Sequence, residues 1–229
     1  MIPFKKIFHE QITLLTFESF KPNLLEFKKH YITFGLVTAW LAGIGRYWDN
    51  PKAEVWQYLG LGSVVYCFFL AAIIYLIIYP LKPNNWSYSN VLIFVSLTSL
   101  PAFIYAIPVE KFTSLETAQS LNVLFLAIVA LWRVMLFVLY LKRSAGLNGS
   151  QIFVAALLPI VFIINILTVL NLEHAVFKIM AGLRGNEPTG NDSAYKILIL
   201  ITLLSYILLP ILVAMYGWFI YKISKDSNK

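Results

Sequence analysis

The stretch that decides the fold is Leu121–Leu141, LNVLFLAIVALWRVMLFVLYL, twenty-one residues with a single charge, Arg133. A helix of about 20 mainly apolar residues spans the hydrocarbon core of a bilayer, and nothing in this run interrupts a helix. Working outward, five further stretches resemble it: Tyr31–Gly45, Val55–Leu81, Tyr88–Val109, Ile152–Leu172 and Tyr195–Tyr221. The first is the shortest, with fifteen residues before Arg46, so it either crosses obliquely or is partly re-entrant. The expectation is therefore an all-α, polytopic transmembrane helix bundle of six, or alternatively five, spans. Residues 1–30 form a cytoplasmic amphipathic N-terminal segment, 31–221 the bundle and 222–229 a short basic cytoplasmic tail.

Composition agrees. The chain is 59% hydrophobic and 13% charged, about half the charge of a soluble domain. One aqueous core could not hide that much apolar surface, whereas lipid-facing side chains need no polar cover. The net charge of +7 comes from Lys and Arg scattered between apolar runs. That distribution suits anionic head groups and excludes a nucleic-acid footprint as the simpler reading. No secretory signal peptide is read in the first thirty residues, where Lys and Glu interrupt every apolar run. The single Cys67 cannot form an internal disulfide.

With six spans, eleven Lys and Arg fall on the side of the two termini and six on the other, the eighteenth being Arg133. The positive-inside rule then places both termini in the cytoplasm, as in a bacterial inner membrane. Near the N-terminus Phe4, Phe8, Ile12 and Leu15 recur at helical spacing, with Lys5, Lys6, His9 and Glu10 between them. This helix lies either on the cytoplasmic leaflet or as a cap against the bundle end; pattern alone does not separate the two.

Two hairpins look alike. Leu81–Phe112 and Leu141–Phe177 each run from Leu-Lys through a polar turn into an apolar helix holding a proline, Pro101 or Pro159, and reach an acidic residue, Glu110 or Glu173. Duplication is one explanation; shared bilayer rules are the other. Trp86-Ser-Tyr-Ser-Asn-Val-Leu leading to Pro101, and Leu131 to Gln151 leading to Pro159, resemble the YIP1 family of small polytopic membrane proteins, and its bacterial members in particular. The resemblance covers about 70 of 229 residues. It implies a five- or six-helix bundle with a cytoplasmic N-terminal segment. Eukaryotic relatives serve Golgi traffic and prenylated small GTPases, but their Asp-Leu-Tyr-Gly-Pro-like stretch is missing here, so that role is not carried over.

Arg133 lies eight positions before Leu141, about 12 Å inside the span on a straight helix. A charge at such depth costs about 2.5–3.5 kcal/mol on insertion scales, and no Asp or Glu lies inside any span. Asn165, Ser96, Thr98 and carbonyls freed by Pro101 or Pro159 are its candidate partners. Arg133 either faces an anion or lipid head group in a polar cavity, or snorkels to the interface. At the other face, Arg46, Asp49 and Glu54 meet Glu110, Lys111, Glu173 and His174. Carboxylates beside a His could suit acid–base chemistry or a metal, yet there is neither an H-E-x-x-H pattern nor a second close His. Salt bridges tying short loops together are the simpler reading.

Asn165 and Asn171 are expected to hydrogen-bond across helices. Gly35, Ala39 and Gly43 form a small-residue face that admits another helix, either within the molecule or by self-association between copies. Neither a phosphate loop nor a nucleophile elbow occurs. The sequence thus signals no enzyme, cofactor or metal. Its partners are membrane lipids or other membrane proteins, through a non-enzymatic scaffold; the different-class alternative is a small transporter or permease subunit with Arg133 lining a polar path.

Overall fold

In a computed structural model of the chain, residues 4–18, 24–48, 53–172 and 192–227 are described. Among the described residues eight α-helices follow in order: α1 Phe4–Leu15, α2 Leu24–Tyr47, α3 Val55–Tyr58, α4 Leu61–Ile78, α5 Tyr88–Leu97, α6 Leu115–Arg143, α7 Gly149–Val169 and α8 Asp192–Ser227. There is no strand among the described residues. Among the described residues, five segments are long and apolar enough to cross a membrane: Leu61–Leu81, Tyr88–Lys111, Ser120–Arg143, Gly149–Val169 and Leu198–Asp226. This is an integral-membrane architecture: large apolar side chains such as Phe69, Leu76, Leu131 and Ile207 are more than half exposed, which lipid tolerates and water does not.

The expected Tyr31–Gly45 segment belongs to the longer α2, which bends where Phe27 leaves helical geometry (φ −115°, ψ 17°). It is not one of the five apolar spans among the described residues, because Lys28, Lys29 and His30 enter the same helix. The second expected span, Val55–Leu81, is divided. One turn of helix, α3, ends before Gly60, whose left-handed backbone (φ 64°) starts α4. A Cβ at Gly60 would meet the Trp40 carbonyl at 2.7 Å, so the break also lets α2 pass close.

The chain forms two compact units, with the boundary inside α6 between Leu131 and Trp132. The first holds Met1–Ile107 and Trp132–Leu147. At its centre is α5, whose residues Val91–Leu97 are all buried with α2 and α4 packed against it. The small face of α2 is consumed here, within the chain. Ala39 is 1% exposed, Gly35 lies against Ser96 and Leu97, and Gly43 against Ser63 and the Gly60 carbonyl. Aromatic packing joins α5 to the end of α6, with Phe94 stacked on Tyr140 at 4.3 Å between centroids.

In the second unit, Pro108–Leu131 and Asn148–Lys229, α7 packs along α8. Asn148 opens α7 with a capping box closed by Gln151. The helix ends in a Schellman motif: Leu172 N–H donates to Leu167 O at 2.8 Å and Asn171 N–H to Thr168 O at 3.0 Å, with Asn171 left-handed at φ 54°. Asn171 is exposed. It serves as a helix stop rather than the cross-helix polar contact expected of it.

The two similar hairpins diverge at their prolines. Pro159 lies inside an uninterrupted α7. Pro101 instead follows the end of α5, and the chain continues as a 3-10 helix, Leu100–Ala106. The difference lies in what precedes each ring. Thr98 and Ser99 turn their hydroxyls back onto the Phe94 and Val95 carbonyls, competing with the backbone ladder, whereas only apolar residues flank Pro159.

Candidate functional site

The break in α5 gathers the polar side chains of the first unit. Leu97 O would accept from residue 101 in a continuing α-helix, but Pro101 has no N–H. Its carbonyl is instead taken by Gln11, whose Nε2 donates at 2.8 Å from α1, 86 residues away in sequence. Gln11 is fully buried. Two residues earlier, the Val95 carbonyl accepts from the Thr98 hydroxyl at 3.1 Å and the Ser99 hydroxyl at 3.2 Å, because Ser99 N–H has tightened onto Ser96 O. Arg133 reaches this carbonyl from α6, its Nη2 donating at 3.4 Å. Its guanidinium also sits over the Tyr66 ring, 5.7 Å from the centroid, a geometry in which the ring quadrupole attracts the cation.

These donors converge on the C-terminal end of α5, where unpaired carbonyls leave a partial negative charge. A cation and an amide are the side chains suited to it. Arg133 thus finds its partner in a backbone carbonyl, as expected of a broken helix, though at Val95 rather than the Leu97 position that Pro101 directly frees. Of the side chains also expected as partners, Ser96 donates to the Ile93 carbonyl and Thr98 to those of Phe94 and Val95, while Asn165 lies in the second unit and donates to Val161 O of its own helix at 2.8 Å. Cys67 lies beside the same break, buried, with Sγ 3.8 Å from Ser99 Oγ.

Depth along the span gives this site its meaning. Leu97 is nine residues past Tyr88, roughly 14 Å along the helix, near the middle of Tyr88–Lys111. Through Gln11, α1 is therefore drawn in among the spans rather than resting at their end. It buries Ile7, Gln11, Leu14 and Leu15; of the apolar stripe Phe4, Phe8, Ile12 and Leu15 read from the sequence, the first three are exposed and Leu15 is buried. α1 thus packs within the first unit through a face rotated from that stripe. The spacing Ile7–Gln11–Leu14 was the available signal: one turn apart, these residues share a side of the helix. Further ties hold α1 in place. Glu10 accepts from the Tyr31 hydroxyl, Trp132 Nε1 donates to Leu15 O at 3.0 Å, and Arg143 Nη1 donates to Phe17 O and Glu18 O at 2.7 and 2.8 Å.

The cluster expected at the opposite face divides between the units. In the first, Arg46 lies over Tyr105 at 5.1 Å and Tyr47 at 5.7 Å, while Trp48 Nε1 donates to Ala106 O at 2.9 Å; together these fasten the end of α2 to the 3-10 helix. Glu54 closes a capping box on α3. In the second unit, Glu110 accepts from Asn122 Nδ2 at 2.9 Å. Asp49, Glu173 and His174 lie outside the described residues. Among the described residues, no group of three His, Cys, Asp or Glu could hold a metal ion. Comparison of the chain with protein-family models, curated proteins and solved structures finds no significant match.

Proposed function

We propose that this chain is a non-enzymatic membrane scaffold of YIP1-like type, seated in a bacterial inner membrane with both termini cytoplasmic, that binds lipids and partner membrane proteins. The observation that carries this reading is the closure of the α5 break by the chain's own donors. In transporters, unwound backbone at mid-membrane offers its carbonyls to substrate or coupling ions. Here Gln11 and Arg133 occupy the carbonyls of Leu97 and Val95, so the break binds α1 and α6 instead. The exposed apolar faces of α4, α6 and α8 are then the surfaces left for lipid or another membrane helix.

Capture from mild detergent followed by mass spectrometry tests this reading directly, since it recovers proteins and lipids together. A reproducible partner or lipid set is the expected result; a bare monomer without either would overturn it.

The transporter alternative retains one specific support, a half-buried cation at a mid-span helix break. The two readings part at Arg133. Under the scaffold reading, Arg133→Leu folds and retains the wild-type set of bound lipids and proteins, because removing the charge also removes its insertion cost of about 2.5–3.5 kcal/mol. Arg133→Lys loses the planar stacking on Tyr66 and is destabilised by about 0.5–1 kcal/mol. Solute flux in reconstituted vesicles that Arg133→Leu abolishes and Arg133→Lys preserves would decide for transport.

A further inference from the structure

Three contacts fix where α1 crosses the first unit. Its N-terminal end meets α2, with the Phe4 and Phe34 rings 6.4 Å apart. Its middle meets α5 through Gln11 and Leu97 O, and its far end meets α6 through Trp132 and Leu15 O. Phe34 lies ten residues after Leu24, Leu97 nine after Tyr88 and Trp132 eleven before Arg143, so each anchor is roughly 14–17 Å from its own helix end. Those three ends share one side. Asn84, just before α5, donates its N–H to Ala145 O, just after α6, at 2.9 Å. α2 runs parallel to α5 and its 3-10 continuation, with Gly35 against Ser96 and Arg46 over Tyr105. α1 therefore lies across the spans near mid-depth rather than along them. Its outer face is charged at that depth: Lys5, Lys6 and His9 are exposed, as are Phe4, Phe8 and Ile12 beside them. The one carboxylate of the helix, Glu10, accepts from the Tyr31 hydroxyl.

We infer that phospholipid head groups descend to this face, so that the leaflet on the Tyr88 side is locally thinned beside α1. This rests on the lipid-binding reading above and adds where the head groups sit. Lipid phosphates lie against Lys5 and Lys6, and acyl chains against Phe4, Phe8 and Ile12. The physical reason is that hydrocarbon does not solvate an ammonium group, whereas a bilayer can thin to reach one. Snorkelling alone recovers only part of the depth, because a lysine stem is shorter than half a leaflet span. The lipid-exposed side of α4 gives no such cause: that helix carries no charge, and Phe69, nine residues before Ile78, is 66% exposed at a comparable depth. Opposite charge favours anionic over zwitterionic head groups at Lys5 and Lys6.

Phosphorus NMR of the full chain in vesicles of phosphatidylcholine and phosphatidylglycerol tests this. A nitroxide on His9→Cys should speed relaxation of the lipid phosphates several-fold more than a nitroxide on Phe69→Cys, and should act on phosphatidylglycerol more than on phosphatidylcholine. The native Cys67 is buried and shielded from the label. Lys5→Gln combined with Lys6→Gln should abolish the excess, and Lys5→Arg combined with Lys6→Arg should keep it. Both pairs alter exposed side chains, and protection of Cys67 from thiol reagents checks that each variant is folded. Equal relaxation from the two labelled positions would overturn the inference, since something other than lipid head groups would then cover the charged face. So would an excess that survives the Lys→Gln pair. Inorganic phosphate in the buffer, relaxed at His9→Cys as strongly as lipid phosphate, would also overturn it, by marking an aqueous pocket. Each of these results leaves general lipid binding intact. Recovery of neither lipid nor partner in the detergent capture would instead overturn the scaffold reading itself.

Discussion

Gly35→Leu is expected to prevent the first unit from assembling, and Gly35→Ala to lower stability by about 1–3 kcal/mol, the usual cost of overpacking a filled site. An ideal Cβ at this position would lie 2.3 Å from Ser96 Oγ, 2.9 Å from Ser96 Cβ and 3.2 Å from Leu97 N. The last of these is backbone, and Ser96 is a short side chain, fully buried and bonded to the Ile93 carbonyl. Neither can swing aside, so relief requires α2 to move away from α5. The single cysteine supplies the measurement. Cys67 is 1% exposed, so a thiol-reactive fluorophore reports unfolding of detergent-solubilised protein as temperature rises. Gly35→Ala should react at clearly lower temperature, and Ser96→Gly in the same chain should recover part of the loss by removing the two nearest atoms. A Gly35→Leu protein as heat-resistant as wild type would mean that α2 and α5 do not pack in this way.

Gln11→Leu is expected to cost about 1–3 kcal/mol by leaving the Leu97 carbonyl unpaired in an apolar interior. Gln11→Glu should cost more, although it preserves shape. It replaces the donor with an oxygen, so lone pairs would confront each other across the 2.8 Å now spanned by a hydrogen bond. The cause can be isolated with Pro101→Ala. That substitution restores an N–H that can reach Leu97 O when α5 continues, and it should rescue Gln11→Leu but not Gln11→Glu. Thiol-reactivity melting of the four combinations closes a double-mutant cycle, and the coupling energy is the result of interest. Additive effects would show that Gln11 and Pro101 do not share the carbonyl, and that α1 is held by its other contacts alone.

Both experiments depend on relations between distant residues, and these mark the limit of what could be read locally. Span positions were legible because lipid imposes a local rule: a run of about 20 apolar residues whose backbone bonds close within one helix. Four of the expected spans correspond to observed ones within a few residues, and the divided Val55–Leu81 carried its own marker in Gly60. Arg133 was legible as costly and proline chemistry pointed to a carbonyl near the break, but the one it bonds, Val95 O, is not the one Pro101 frees. The contact surfaces were not. Lipid is as apolar as leucine, so hydropathy cannot tell a lipid-facing side of a helix from a protein-facing one. For that reason the pattern Phe4–Phe8–Ile12–Leu15 left open whether α1 met lipid or protein, while Ile7, Gln11 and Leu14 make its buried contact.

By itself, then, the sequence determined an all-helical membrane chain, most of its spans, and the places where backbone groups would lack partners. Only the tertiary structure decided who satisfies them. Gln11 reaches Leu97 across 86 residues, and Arg133 reaches Val95 across 38. A hydrogen bond is specific to the two groups it joins, and no periodicity along one helix records which distant segment folding will bring beside it.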